Sequence, residues 1–194
     1  MDSIHTPTSG TSNVKLGVNA GNSITSGGNF NVVIGDEAGT ALTTGDSNVA
    51  IGYAALDAED TGNKSIAIGA SALTAQNNDA DNYNVAIGHN AGASVSTGLR
   101  NNFVGGFTGD AITTGTDNTA IGHGALTTDD VGSKSTAVGA DALANQNYAT
   151  ATDSHNTAVG FQAGVSVTTG VQNTFVGSLA GDAGTSSNSN VAVG

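Results

Sequence analysis

A five-residue motif, Asn-x-Ala-Ile/Val-Gly with Ser sometimes in place of Asn, recurs eleven times along this 194-residue chain. Its Gly falls at 17, 35, 52, 69, 88, 105, 122, 139, 160, 177 and 194, with 17 residues between most neighbours and 18, 19 and 21 in three steps. A fixed period of that length predicts a solenoid in which every repeat is one coil stacked on the last. Composition leaves little else. The chain has 29 Gly, one Pro and 4% aromatic residues, and its hydrophobic residues are mostly Ala and Val. A thick globular core of Leu, Ile and Phe has no material here. Charged residues make up only 10%, which fits disorder poorly. Coils are numbered 1 to 11 by their motif Gly, and positions are counted from it.

Aligning on the Gly produces columns. Position −1 reads Leu16, Ile34, Ile51, Ile68, Ile87, Val104, Ile121, Val138, Val159, Val176 and Val193, β-branched in all but the first. Such residues suit a pleated strand, and the expectation is that they face the core while the Ala-rich position −2 faces outward. Position −4 carries Asn13, Asn31, Asn48, Asn84, Asn101, Asn118, Asn156, Asn173 and Asn190, with Ser65 and Ser135 between them. An amide stacked on an amide links one coil to the next, so this column is read as a structural turn ladder. A second Gly, at position +10 in most coils, closes the far turn.

Two further columns are complementary. Position +4 is Gly21, Gly39, Leu56, Leu73, Gly92, Gly109, Leu126, Leu143, Gly164 and Gly181, while +7 is Ile24, Leu42, Glu59, Gln76, Val95, Ile112, Asp129, Gln146, Val167 and Gly184. Gly at the first position goes with an aliphatic residue at the second, and Leu with a polar one; Gly184 alone breaks the rule. One core slot per coil, filled from either position, accounts for this, because double filling overpacks and an empty slot leaves a cavity. The alternation defines a superrepeat of about 70 residues, with copies at 48–117 and 118–189 and a trailing half at 13–47. Residues 1–12 read as an N-terminal extension and 13–194 as the array. The long steps predict loops at 76–83 and 145–155.

The charge balance is −12, from 16 acids against Lys15, Lys64, Arg100 and Lys134. That surface repels phosphate backbones and anionic lipid, so neither nucleic acid nor membrane insertion is expected as a partnership. The N-terminus lacks the basic and apolar regions of a signal peptide, which predicts either a piece of a longer chain or release by lysis. No catalytic residue, metal or cofactor is expected. The histidines His5, His89, His123 and His155 are scattered, and no acid–base pair recurs with one. Asp57, Glu59, Asp60, Asp129 and Asp130 read as a solvating rim on the turns. A broken threonine column (Thr44, Thr61, Thr97, Thr114, Thr169) raises ice binding as a lesser reading. Tyr83, Tyr148 and His155, assigned to the two loops, are the candidate receptor contacts, where rings and amides can engage a glycan or protein surface.

The run Asn48-Val49-Ala50-Ile51-Gly52-Tyr53-Ala54-Ala55-Leu56 resembles the head repeats of YadA-like trimeric autotransporter adhesins and similar repeats of bacteriophage tail fibres. The resemblance spans 13–194. It implies a left-handed parallel β-roll, three chains around one axis and a role in adhesion or host contact. The expected architecture is thus an all-β parallel solenoid of about eleven coils, assembled as a homotrimer. The expected function is a structural and adhesive fibre segment on a virion or bacterial surface, or else a passive rigid spacer. The core is expected to comprise the position −1 residues together with Leu56, Leu73, Val95, Ile112, Leu126, Leu143 and Val167.

Overall fold

The structure, a computed structural model, describes residues 10–194; the first nine, His5 and most of the expected extension among them, lie outside the described residues. The described residues form thirteen short strands. They are β1 (Val14–Leu16), β2 (Val32–Ile34), β3 (Val49–Ile51), β4 (Ile66–Ile68), β5 (Val85–Ile87), β6 (Asn102–Val104), β7 (Thr119–Ile121), β8 (Gly132–Ser133), β9 (Thr136–Val138), β10 (Thr152–Asp153), β11 (Thr157–Val159), β12 (Thr174–Val176) and β13 (Val191–Val193). Each motif supplies one strand of an eleven-stranded parallel sheet in chain order, from which only β8 and β10 are excluded. Columns stack without slip: Val33 pairs with Ala50, Ala50 with Ala67, and Phe103 with Ala120. At ~4.8 Å per coil the sheet is about 50 Å long.

The long steps leave this register intact because the extra residues lie away from the main sheet. After Gly69 the chain rejoins the previous coil where Asp81 bridges Asn63. After Gly139 it rejoins where β10 pairs with β8, placing Thr152 beside Gly132 and Asp153 beside Ser133.

The two faces of the sheet are the reverse of the sequence expectation. Position −2 points inward: Val33, Ala50, Ala67, Ala86, Phe103, Ala120, Ala137 and Ala158 are fully buried. Ile34, Ile51, Ile68, Ile87, Val104, Ile121, Val138, Val159 and Val176, assigned to the core from their β-branching, stand on the outer face, half-buried or exposed. Val104 is 36% exposed and Ile121 42%. The cause is the width of the coil. Inside, the sheet packs on the turn that follows it, where Ala38, Ala55, Ala72 and their equivalents at +3 are also buried, so in coils 3 to 5 and 7 to 9 Ala at −2 shares the interior with Ala at +3. Branched side chains satisfy strand preference on either face, and the wider outer face has room for them.

The +4 and +7 columns both point inward. Leu42, Leu56, Leu73, Val95, Ile112, Leu126 and Leu143 are fully buried, and Val167 is 1% exposed. A Cβ at Gly39 would lie 2.8 Å from Leu42 Cδ1, so there the +7 side chain fills the space beside the Gly. At Gly92 and Gly109 a ring does so: the added Cβ would meet Phe103 at 2.9 and 2.5 Å. Gly164 and Gly181 flank Phe175 in the same way. Phe175 thus supplies bulk to the coil in which Gly184 leaves the usual filler out. Position +4 has left-handed backbone in every coil, with φ of 53° at Leu56 and 51° at Gly39, which suits Gly and strains Leu. The motif Gly is needed twice over. Gly35 has φ of 128°, and a Cβ there would lie 2.6 Å from the Gly52 carbonyl oxygen of the next coil.

The Asn column is a buried ladder. Asn101 donates from Nδ2 to the Gly115 carbonyl at 2.9 Å, and its Oδ1 accepts the Asn118 backbone N–H at 3.0 Å. Asn31, Asn48 and Asn118 repeat the pattern, each joining two turns of the following coil. Asn84, Asn156 and Asn173 belong to the same buried column.

Candidate functional site

Three surfaces carry chemistry beyond stacking: the outer sheet face, its two edges, and a pair of polar clusters within the coils. The sequence-predicted contacts divide among them. Tyr83 and His155 are exposed, but they occupy position −5, the left-handed turn entering β5 and β11, and not the added loop residues. Lys64 Nζ lies 5.1 Å from the Tyr83 ring centroid and 3.2 Å from its hydroxyl. Tyr148 is no surface contact. It is 5% exposed, donates its hydroxyl to the Gly170 carbonyl at 2.8 Å and accepts from Asn156 Nδ2 at 3.1 Å. Burial, with the nearby Asp129 carboxylate, pushes its pKa up to about 12.

Glu59 and Asp129, expected on a solvated rim, are fully buried. Glu59 accepts from the Gly62 N–H at 2.8 Å, Gln76 Nε2 at 2.8 Å and Asn82 Nδ2 at 3.0 Å. Gln76 Nε2 also donates to Ser65 Oγ, and its Oε1 accepts from Asn84. The second cluster matches the first. Asp129 accepts from Gly132 and Gln146, Gln146 donates to Ser135 Oγ, and Asn156 donates to Gln146 Oε1. Desolvation raises both carboxyl pKa values, against the partial counterweight of these hydrogen bonds. A signal for the clusters was present in the sequence. The ladder changes from Asn to Ser in the coils that carry Gln at +7, one coil after an acid at +7, because the shorter Ser makes room for the Gln amide.

Outside, positions −3 and −1 form one continuous face. In coils 1 to 5 both columns are aliphatic, through Val14, Val32, Val49, Ile66 and Val85. In coils 7 to 10 the −3 column becomes Thr119, Thr136, Thr157 and Thr174, stacked in register beside the Ile/Val column. The face measures on the order of 500 Å2, the size at which apolar patches mark interaction sites.

Its two edges differ. Position −5 carries Lys64, Arg100 and Lys134, three of the four cations of the chain, ion-paired with Asp81, Asp117 and Asp153. These pairs are solvent-exposed; hydrogen bonding to the carboxylates raises the pKa of Lys64 and Arg100, and the cations lower those of Asp81 and Asp117. Positions +1 and +2 form the other edge. There Phe107 meets His89 and His123 edge-on, at centroid distances of 5.2 and 5.8 Å, and Tyr53, Phe161 and Leu179 are exposed. Among the described residues no group of three or more His, Cys, Asp or Glu is placed to hold a metal ion.

Compared with known proteins, the chain matches no family model, no curated protein and no solved structure.

Proposed function

We propose that this chain is a structural and adhesive segment of a trimeric fibre, extracellular or on a virion, with left-handed coils and parallel copies around one axis. The observation that carries the reading is the aliphatic −1 column, Leu16 and then Ile or Val in every coil, standing half-buried or exposed along an eleven-stranded sheet. Water is a poor neighbour for it, and copies of the same face cover one another. Tyr83 and His155 remain the receptor-contact candidates, for a glycan or protein on a host surface. Mass in solution tests assembly. The trimer reading expects three times the 18.8 kDa chain mass, falling to one for Ile121→Asp, with the β circular-dichroism signal kept. A wild-type monomer overturns it.

A second reading draws on one specific feature, the in-register Thr119, Thr136, Thr157 and Thr174 column. A flat, rigid array of hydroxyl and methyl groups at regular spacing is suited to ordering water, and so to ice. Thr44, Thr97, Thr114 and Thr169 are exposed elsewhere, on the far turn, while Thr61 is half-buried. The readings compete for the same face. Thermal hysteresis in a monomeric sample supports ice binding, and its absence in a trimer removes it.

A further inference from the structure

The two edges of the outer sheet face have complementary chemistry at matching heights. In coil 8, Lys134 lies on the −5 edge and Asp141, at +2, on the other; coil 7 has Asp117 at −5 and His123 at +1, and coil 6 has Arg100 at −5 and Phe107 at +2. Within one chain these pairs lie on opposite sides of the sheet, because the intervening three-residue strand alone spans about 10 Å. A ring about an axis parallel to the stack, with this outer face turned toward that axis, brings the −5 edge of one copy against the +1/+2 edge of the next.

We propose that neighbouring copies of this chain dock parallel and in the same coil register, the −5 edge of one on the +1/+2 edge of the next, with Lys134 meeting Asp141. The proposal rests on the oligomer reading above and adds which edges meet, coil against coil, and which residues pair across them. Register follows from the charges. With equal coils facing, Lys134 meets an acid, Asp117 an imidazole and Arg100 the face or rim of an aromatic ring, so no like charges are opposed. Sliding by one coil in one direction sets Asp117 against Asp141 and Arg100 against His123. Sliding the other way sets Lys134 against His123 and Arg100 against His89. The existing pairs do not preclude the contact: Lys134 donates to Asp153 within its own chain, and an ammonium has further donors. Asp141 has only a 3.4 Å bond from Gln162 Nε2 on its Oδ2. An edge that differs from its partner makes a heterologous contact, which gives a ring where the rotation closes, as the trimer reading requires, and does not stop at a two-fold pair.

The chain contains no Cys, so engineered thiols report without background. The double variant Lys134→Cys/Asp141→Cys, oxidised under mild conditions, is expected to yield covalent oligomers up to the full ring on a denaturing gel. The one-coil offset Asp117→Cys/Asp141→Cys is expected to yield none. Within one chain neither pair can close, because a disulfide needs Cα atoms within about 7 Å. In a separate arm, Lys134→Asp alone should raise the dissociation midpoint about tenfold, and adding Asp141→Lys should restore it. Wild-type oligomer mass with no same-coil cross-link, or with cross-links only in the offset variant, overturns the edge pairing and leaves the oligomer reading standing. A monomeric wild-type chain overturns both.

Discussion

The buried carboxyls of Glu59 and Asp129 are the residues least at ease in this protein. No cation neutralises either; neutral N–H donors alone hold each charge inside the coil. A raised folded pKa means that the folded chain holds the proton more tightly than the unfolded chain does. Their contribution is therefore unfavourable at neutral pH, improves as pH falls through the folded pKa, and is complete below the ordinary values of 4.5 and 3.8. Asp81 and Asp117, with lowered pKa values, act in the opposite sense and lose their contribution only below 3.8. The thermal midpoint should thus rise as pH drops from neutral towards 4.5 and fall again under strong acid. Glu59→Gln should flatten the rise, with Asn82, whose Oδ1 lacks a partner, turning its amide to accept from the new side chain. An unchanged slope in that variant would assign the rise to the general −12 charge instead.

At the level of the single coil, what matters is total fill and not which column provides it. Coil 6 has Phe103 at −2 and Gly at +4; coil 3 has Ala50 at −2 and Leu56 at +4, and all of these side chains are buried. Phe103→Ala should cost about 3–5 kcal/mol, as for a large-to-small change in a packed core. Adding Gly109→Leu should return a substantial part of it, because Leu is already accepted at the same left-handed position in coils 3, 4, 7 and 8. Denaturant unfolding of the two single variants and the double measures the coupling. Purely additive losses would mean that the Phe103 ring and the +4 position do not share space. The complementarity of +4 and +7 was legible before any coordinates, since overpacking forbids filling both with large apolar groups. The polar clusters were harder to read: Glu59 and Asp129 pass for a solvating rim, and only the change from Asn to Ser in the following coil marks the Gln that meets each of them inside.

Across the whole array, equal coils stack at equal rise, so surface columns run as straight lines along about 50 Å. One such line carries Tyr83 and His155 four coils apart, with cations between and beyond them. Replacing both by Ala should reduce adhesion to a host surface without changing oligomer mass if the segment is adhesive, as measured by retention of the labelled protein on cells. A passive spacer would bind no less after the change.

The repeat alone determined that the chain is an all-β parallel solenoid of eleven coils, and fixed their register, their Asn ladder and their compensating fillers. Each of those follows from spacing and side-chain volume, which the sequence carries directly. Only the tertiary structure decided which side of each strand is inside. A three-residue strand gives too short an alternation to identify its buried face, and branched residues are at home on either. That decision moved Ile34 through Val176 from core to surface, drew Tyr148 and Glu59 inward, and exposed the face on which the proposed assembly depends.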